Sequence, residues 1–84
     1  PALLARLAAS KIGAAGEGQP IPVELTFAGT VRGLAFEAPD GVSALRTKTG
    51  CLVYAERPGP LVVVVVVVDK ELRTSRHKLS LVAR

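Results

Sequence analysis

The hydrophobic pattern near the N-terminus is helical. Leu3, Leu4 and Leu7 lie on one face of an alanine-rich segment, and a glycine-rich stretch begins at Gly13. Apolar residues three and four positions apart are typical of an amphipathic helix, and glycine commonly ends one. The pattern therefore predicts a helix over residues 2–13.

From residue 21 onward, short alternating segments are separated by turn residues. Apolar and polar side chains alternate in residues 21–28, which is typical of a strand with one buried face. The Pro39-Asp40-Gly41 segment is a strong turn signal, and Gly33 predicts a bulge or bend. We predict five strands, over residues 21–28, 30–38, 42–48, 51–56 and 61–68. The basic segment 69–84 follows them, and its last part, residues 77–84, is predicted to form a sixth strand or a short helix.

Residues 61–68 consist of one leucine and seven valines with no polar residue between them. A membrane-spanning helix needs about 20 apolar residues, so the run is too short to predict a membrane segment. Valine favours strands, and a strand without alternation is expected to be covered on both faces. Either a neighbouring subunit completes it as an edge strand, or it is a central strand of the chain's own sheet.

The composition is that of one small folded domain. The chain has 84 residues, of which 49% are hydrophobic, and this is too apolar for a disordered segment. So short a chain has a small core, which favours homo-oligomerisation. Cys51 is the single cysteine, which excludes an internal disulfide and predicts a reducing, cytoplasmic location.

Positive charge is concentrated after the valine run. Residues 1–68 hold six basic and five acidic residues, whereas residues 69–84 hold five and two. Basic side chains contact phosphates without special geometry, so this segment predicts weakly sequence-specific RNA binding; the alternative is ordinary surface charge. Tyr54 is a candidate for base stacking or for a partly buried core position. The candidate RNA-binding residues are Arg46, Lys48, Tyr54, Lys70, Arg73, Arg76, His77 and Lys78.

The sequence contains no recognisable catalytic or metal-binding set. His77 is the single histidine, and with one cysteine it cannot complete a metal site of ordinary ligand count within one chain. No nucleophile stands beside an oriented base in the pattern. We therefore predict a protein that is not an enzyme and that has no cofactor and no small-molecule substrate.

Three segments resemble one known family: IPVELTFAGTVRG, LAFEAPDGVSALRTKT and CLVYAERPGPLVVV. They are similar to the strands of the Sm-like family, particularly its bacterial RNA-chaperone branch, Hfq. The resemblance implies an N-terminal helix followed by a five-stranded, strongly bent antiparallel sheet, that is, a small Sm-like or SH3-like barrel. It also implies ring assembly by pairing the fourth strand of one subunit with the fifth of the next. The interface residues so implied are Leu52, Val53, Val62, Val64, Val66 and Val68.

The residues that bind RNA in that family are not matched. The family's Lys-His pair falls on Ala55 and Glu56, and its stacking aromatic falls near Val42. Two hypotheses stay open. The first is a ring-forming, Sm-like RNA-binding protein, which the resemblance and the charge favour. The second is a non-catalytic protein–protein interaction or assembly module without a nucleic-acid role, for example a roadblock-type dimeric adaptor.

Overall fold

The computed structural model describes residues 4–84, which form seven β-strands in two antiparallel sheets. The strands are β1 (Arg6–Ile12), β2 (Ile21–Ala28), β3 (Val31–Glu37), β4 (Val42–Arg46), β5 (Gly50–Ala55), β6 (Gly59–Asp69) and β7 (Thr74–Ala83). Residues 4–84 contain no helix, and hence none of the length and apolarity that a membrane span requires.

The two sheets have the strand orders β1-β2-β5-β4 and β3-β6-β7. Within the described part of the chain, β1–β2, β4–β5 and β6–β7 are neighbours both in sequence and in a sheet. The chain crosses from one sheet to the other after β2, β3 and β5. This order and sheet membership are those of a constant-type immunoglobulin sandwich. The inter-sheet cysteine pair and the core tryptophan of antibody domains are missing from the sequence, so the likeness is one of topology.

The inward faces of the two sheets form the core. Side chains alternate between the two faces of each strand, so every second residue points inward. The four-stranded sheet contributes Ile21, Val23, Leu25, Cys51 and Val53, and the three-stranded sheet contributes Val63, Val65, Val67, Leu79 and Leu81. Burying a valine side chain contributes about 1.5–3 kcal/mol, so the valines of β6 are a large part of this core.

The predicted N-terminal helix over residues 2–13 is wrong within the described residues. This segment forms β1, which pairs antiparallel with β2 from Arg6–Ala28 to Ile12–Val23. An isolated helix of this length is marginal in water, whereas the ladder with β2 gives the backbone regular hydrogen-bond partners. Tertiary pairing therefore overrides the helix propensity of the alanines.

The predicted five-stranded, bent Sm-like or SH3-like barrel is also wrong. That prediction placed all the strands in one bent sheet, whereas the strands form two sheets, with β2 and β3 in different ones. Gly29, with φ of 81°, therefore turns the chain into the other sheet instead of closing a hairpin. The bulge predicted at Gly33 is confirmed, because the register of β3 against β6 shifts between Val31 and Gly33.

The valine run is a central strand. β6 is hydrogen-bonded to β7 over residues 59–68 and to β3 over residues 64–69, so residues 64–68 are paired on both backbone edges within the chain. The edge-strand alternative, with a neighbouring subunit completing the sheet, does not fit these residues. The core covers one face of β6, and its other face points away from the four-stranded sheet.

Candidate interaction surface

The outward face of the three-stranded sheet carries exposed apolar side chains that do not belong to the core. We call it the valine face, because alternate valines of β6 run along its middle. Its residues are Gly33, Ala35 and Glu37 of β3; Pro60, Val62, Val64, Val66 and Val68 of β6; and Thr74, Arg76, Lys78, Ser80 and Val82 of β7.

Strand register places these residues in rows across the sheet. The rows are Gly33–Val68–Thr74, Ala35–Val66–Arg76, Glu37–Val64–Lys78, Val62–Ser80 and Pro60–Val82. The β3 edge therefore carries two small residues and a carboxylate, and the β7 edge carries two cations. Apolar residues separate the two edges along the whole face.

One end of the valine face is openly apolar. Val62 keeps 43% of its surface exposed and Val82 keeps 69%. A groove of about 540 Å³ runs beside them and is also lined by Pro39 and Pro60. Contiguous exposed apolar surface is uncommon on a monomeric protein and often marks an interaction site.

The other end is covered by an ion pair. The Arg76 guanidinium contacts the Glu37 carboxylate, although the two residues stand on opposite sides of β6 and one row apart. Their side chains therefore span the strand above the valines. Val66, which points outward beneath them, is only 8% exposed.

Asp69 ends β6 and organises the loop to β7. Its carboxylate is 2% exposed and accepts hydrogen bonds from the amides of Glu71 (2.9 Å) and Arg73 (2.8 Å) and from Arg73 Nε (2.8 Å). Burial by itself would raise the pKa of this carboxyl. The hydrogen bonds and the Arg73 charge outweigh burial and hold the pKa below its ordinary value. Asp69 is thus a structural residue.

We predict that Asp69→Asn lowers stability in a pH-dependent way. Because the folded-state pKa is depressed, the carboxylate stabilises the fold above the ordinary aspartate range, near pH 4. That contribution disappears as the pH falls through the folded-state pKa. At pH 7 the substitution should lower Tm by roughly 5–10 °C, and the difference between the two proteins should shrink as the pH falls below about 4. Thermal unfolding followed by circular dichroism measures both differences.

Glu71→Gln is the matched control for this prediction. It removes an exposed ion pair with Arg73 in the same loop but none of the buried hydrogen bonds. Exposed pairs contribute little, so its Tm should stay close to that of the wild type. A pH-independent loss in Asp69→Asn would contradict the role given to the charge.

Ser75 and His77 connect β7 to the N-terminal segment. The Ser75 hydroxyl donates to the Ala5 carbonyl (2.9 Å), and the Leu7 amide donates to His77 Nε2 (3.1 Å). Ser75 Oγ also lies 3.1 Å from His77 Nε2. A nucleophile–base pair needs the ring lone pair to receive the hydroxyl proton, but here the Leu7 amide occupies that lone pair. The arrangement fits a link between strands.

Cys51 is a buried free thiol. Burial raises the pKa of the Cys51 thiol, which keeps the side chain protonated and weakly nucleophilic. Residues 4–84 contain no group of three or more His, Cys, Asp or Glu residues placed to hold a metal ion.

The candidate RNA-binding residues are divided among several surfaces. Tyr54 is on the outward face of the four-stranded sheet, and Arg46 and Lys48 are at the β4–β5 turn. The other five follow the valine run: Lys70 and Arg73 are in the β6–β7 loop, Arg76 and Lys78 are on the valine face, and His77 faces the N-terminal segment.

The implied interface residues are not contiguous either. Val53 is fully buried in the core, and Leu52 faces outward on the four-stranded sheet beside Leu45. A fully buried side chain cannot contact a second subunit, and the face of Leu52 is opposite to the valine face. Four of the six residues do lie together on the valine face: Val62, Val64, Val66 and Val68.

Sequence reasoning identified Arg76 but missed its partner Glu37, and it also missed Asp69. Glu37 and Arg76 are 39 positions apart, and no local pattern indicates that they pair. Asp69 had a usable signal, because an aspartate directly after a strand often bonds to amides of the following turn. Comparison of the chain with protein families, curated proteins and solved structures gave no match.

Proposed function

We propose that this chain is a non-catalytic protein-interaction module that contacts a protein partner through the valine face. The observation that carries the proposal is the exposed apolar surface that β6 and β7 share at one end of the valine face. Val62 and Val82 lie outside the chain's own core, on neighbouring strands and in adjacent rows. Apolar centres with charged residues at the edge are typical of protein–protein interfaces.

The charge arrangement favours a protein partner over RNA. Arg73 is paired with Asp69 and Glu71, and Arg76 is paired with Glu37. A cation already held by a carboxylate has less charge available for a phosphate. Tyr54 lies on the other sheet, so no aromatic side chain stands among these cations for base stacking. A roadblock-type adaptor does not fit, since such adaptors contain helices and residues 4–84 contain none.

RNA binding is the competing hypothesis, and a direct titration separates the two. We expect short single-stranded RNA, uridine-rich or mixed, to bind with a Kd weaker than about 100 μM at about 50 mM salt. Fluorescence anisotropy of labelled RNA gives the measurement. Lys48→Ala and Lys70→Ala are matched variants on the two separate basic surfaces.

A Kd below about 10 μM that weakens steeply with salt would overturn the proposed function. A loss of that binding in Lys70→Ala but not in Lys48→Ala would then place the RNA on the β6–β7 loop. The opposite pattern would place it at the β4–β5 turn.

A further inference from the structure

We infer that the partner of the valine face is a second copy of this chain, stacked face to face about a two-fold axis parallel to β6. The inference rests on the proposed function and specifies its partner. The reason for choosing a second copy is that the two edges of the valine face are complementary to each other in charge and in size.

Two simple symmetric stackings are available, and the charges select one. An axis in the sheet plane but perpendicular to the strands would lay β7 on β7 of the second copy. The cations Arg76 and Lys78 would then face the same cations, which is unfavourable. An axis parallel to β6 lays β7 of each copy on β3 of the other. This is an isologous arrangement, in which every contact occurs twice.

The register then aligns opposite charges. Glu37 and Lys78 flank Val64 in one row, so the parallel axis places Lys78 of each copy opposite Glu37 of the other. Packed sheets lie about 10 Å apart, and a lysine and a glutamate facing each other across that gap can meet. Within residues 4–84, Glu37 forms an ion pair with Arg76, and the two carboxylates of the β6–β7 loop form ion pairs with Arg73. Lys78 takes part in none of these pairs.

Side-chain size matches in the same arrangement. In the row that contains Val66, Arg76 lies opposite Ala35 of the second copy. In the row that contains Val68, Thr74 lies opposite Gly33 of the second copy. The longest side chain of the face therefore meets one of its smallest. The exposed Val62 side chains of the two copies meet near the axis.

The area of the face predicts a weak dimer. Three strands about 4.8 Å apart and up to five rows about 6.7 Å apart cover roughly 400 Å² per copy. The resulting total of roughly 800 Å² is below the usual size of a stable interface. We therefore expect a Kd on the order of 100 μM, with monomer at low concentration and dimer near about 1 mM.

Complementary charge reversal tests the arrangement. Sedimentation equilibrium with interference optics is run on the wild type, on Glu37→Lys, on Lys78→Glu and on a 1:1 mixture of the two variants. Each variant alone places like charges at both symmetric contacts, and should dimerise at least about tenfold more weakly. The mixture restores opposite charges at both contacts, so its Kd should return to within about threefold of the wild type.

Two control variants and a check of folding keep the result specific. Lys70→Glu makes the same charge change in the β6–β7 loop, off the valine face, and should dimerise like the wild type. Val62→Asp should abolish dimerisation. The mixture still lacks the Glu37–Arg76 ion pair in half of its chains, so its recovery cannot come from that pair. Circular dichroism checks that every variant is folded.

A wild type that stays monomeric up to about 1 mM would overturn the inference. So would a mixture that is as weak as its two components. If the wild type dimerises, Val62→Asp prevents this and the mixture fails to recover, the two-fold arrangement is wrong while the interaction module stands. Failure of the proposed function itself is recognised separately, by tight and salt-sensitive RNA binding.

Discussion

Val65→Asp is expected to unfold the domain, whereas Val62→Asp, three residues earlier in the same run, is expected to leave it folded. Val65 is fully buried between the sheets, while Val62 is 43% exposed on the valine face. A carboxylate at position 65 would be buried without a partner, which costs several kcal/mol. A domain of this size has a total stability of only about 4–12 kcal/mol.

Far-UV circular dichroism and urea unfolding measure this contrast. Val62→Asp should retain the β-sheet spectrum and a cooperative transition, with its stability within about 1 kcal/mol of the wild type. Val65→Asp should lack that transition or begin to unfold without urea. Equal effects at both positions would show that the assignment of the two faces is incorrect. The two variants are informative because both replace a valine of the same run with the same residue, so only the face on which the valine lies differs.

Gly50→Ala is expected to be the most damaging conservative substitution in the chain. A Cβ atom at position 50 would overlap sterically with the carbonyl oxygen of Val23 and lie 2.9 Å from the amide nitrogen of Leu25. Both atoms belong to the backbone of β2, which cannot move away as a flexible side chain can. Relief requires β5 to separate from β2, so we expect a loss of about 3 kcal/mol or more.

Separation would also disturb the turn that holds β4 to β5. The Leu25 amide donates to the Thr49 carbonyl (2.9 Å), and the Gly50 amide donates to Thr47 Oγ1 (3.1 Å). Gly33→Ala is the matched control, because its Cβ would meet Val68 Cβ at an ordinary 3.5 Å. That variant should stay within about 0.5 kcal/mol of the wild type. Urea unfolding of both variants tests the prediction, and an unaffected Gly50→Ala would contradict it.

The strand positions could be predicted to a useful degree, because alternation and turn residues are local signals. Each of the five predicted strands overlaps one observed strand, and the first, residues 21–28, has the same bounds as β2. The N-terminal segment could not be predicted in this way. Its alanines and leucines suit a helix, and its pairing with β2 depends on residues more than ten positions away.

The residues of the candidate site could be predicted from the sequence only in part. The four outward valines of β6 belonged to the interface that the family resemblance implied, together with Leu52 and Val53. Their separation follows from the sheet order, since β5 and β6 are consecutive in sequence and lie in different sheets. The basic residues were identified by their positive charge alone, and charge does not show which of them form an ion pair with a carboxylate.

The sequence by itself determined that this chain is a small apolar domain rich in strands, with a turn at Pro39-Asp40-Gly41. These features depend on composition and on the conformational preferences of single residues and short segments. They can therefore be predicted without knowing which distant segments pair. Tertiary structure alone decided which valine of a uniform run faces the core, because seven identical residues contain no alternation. It also decided that β6 is central, that Gly50 must lack a Cβ, and that Glu37 and Lys78 share a row. These are relations between distant segments, and they exist only once the strands have paired.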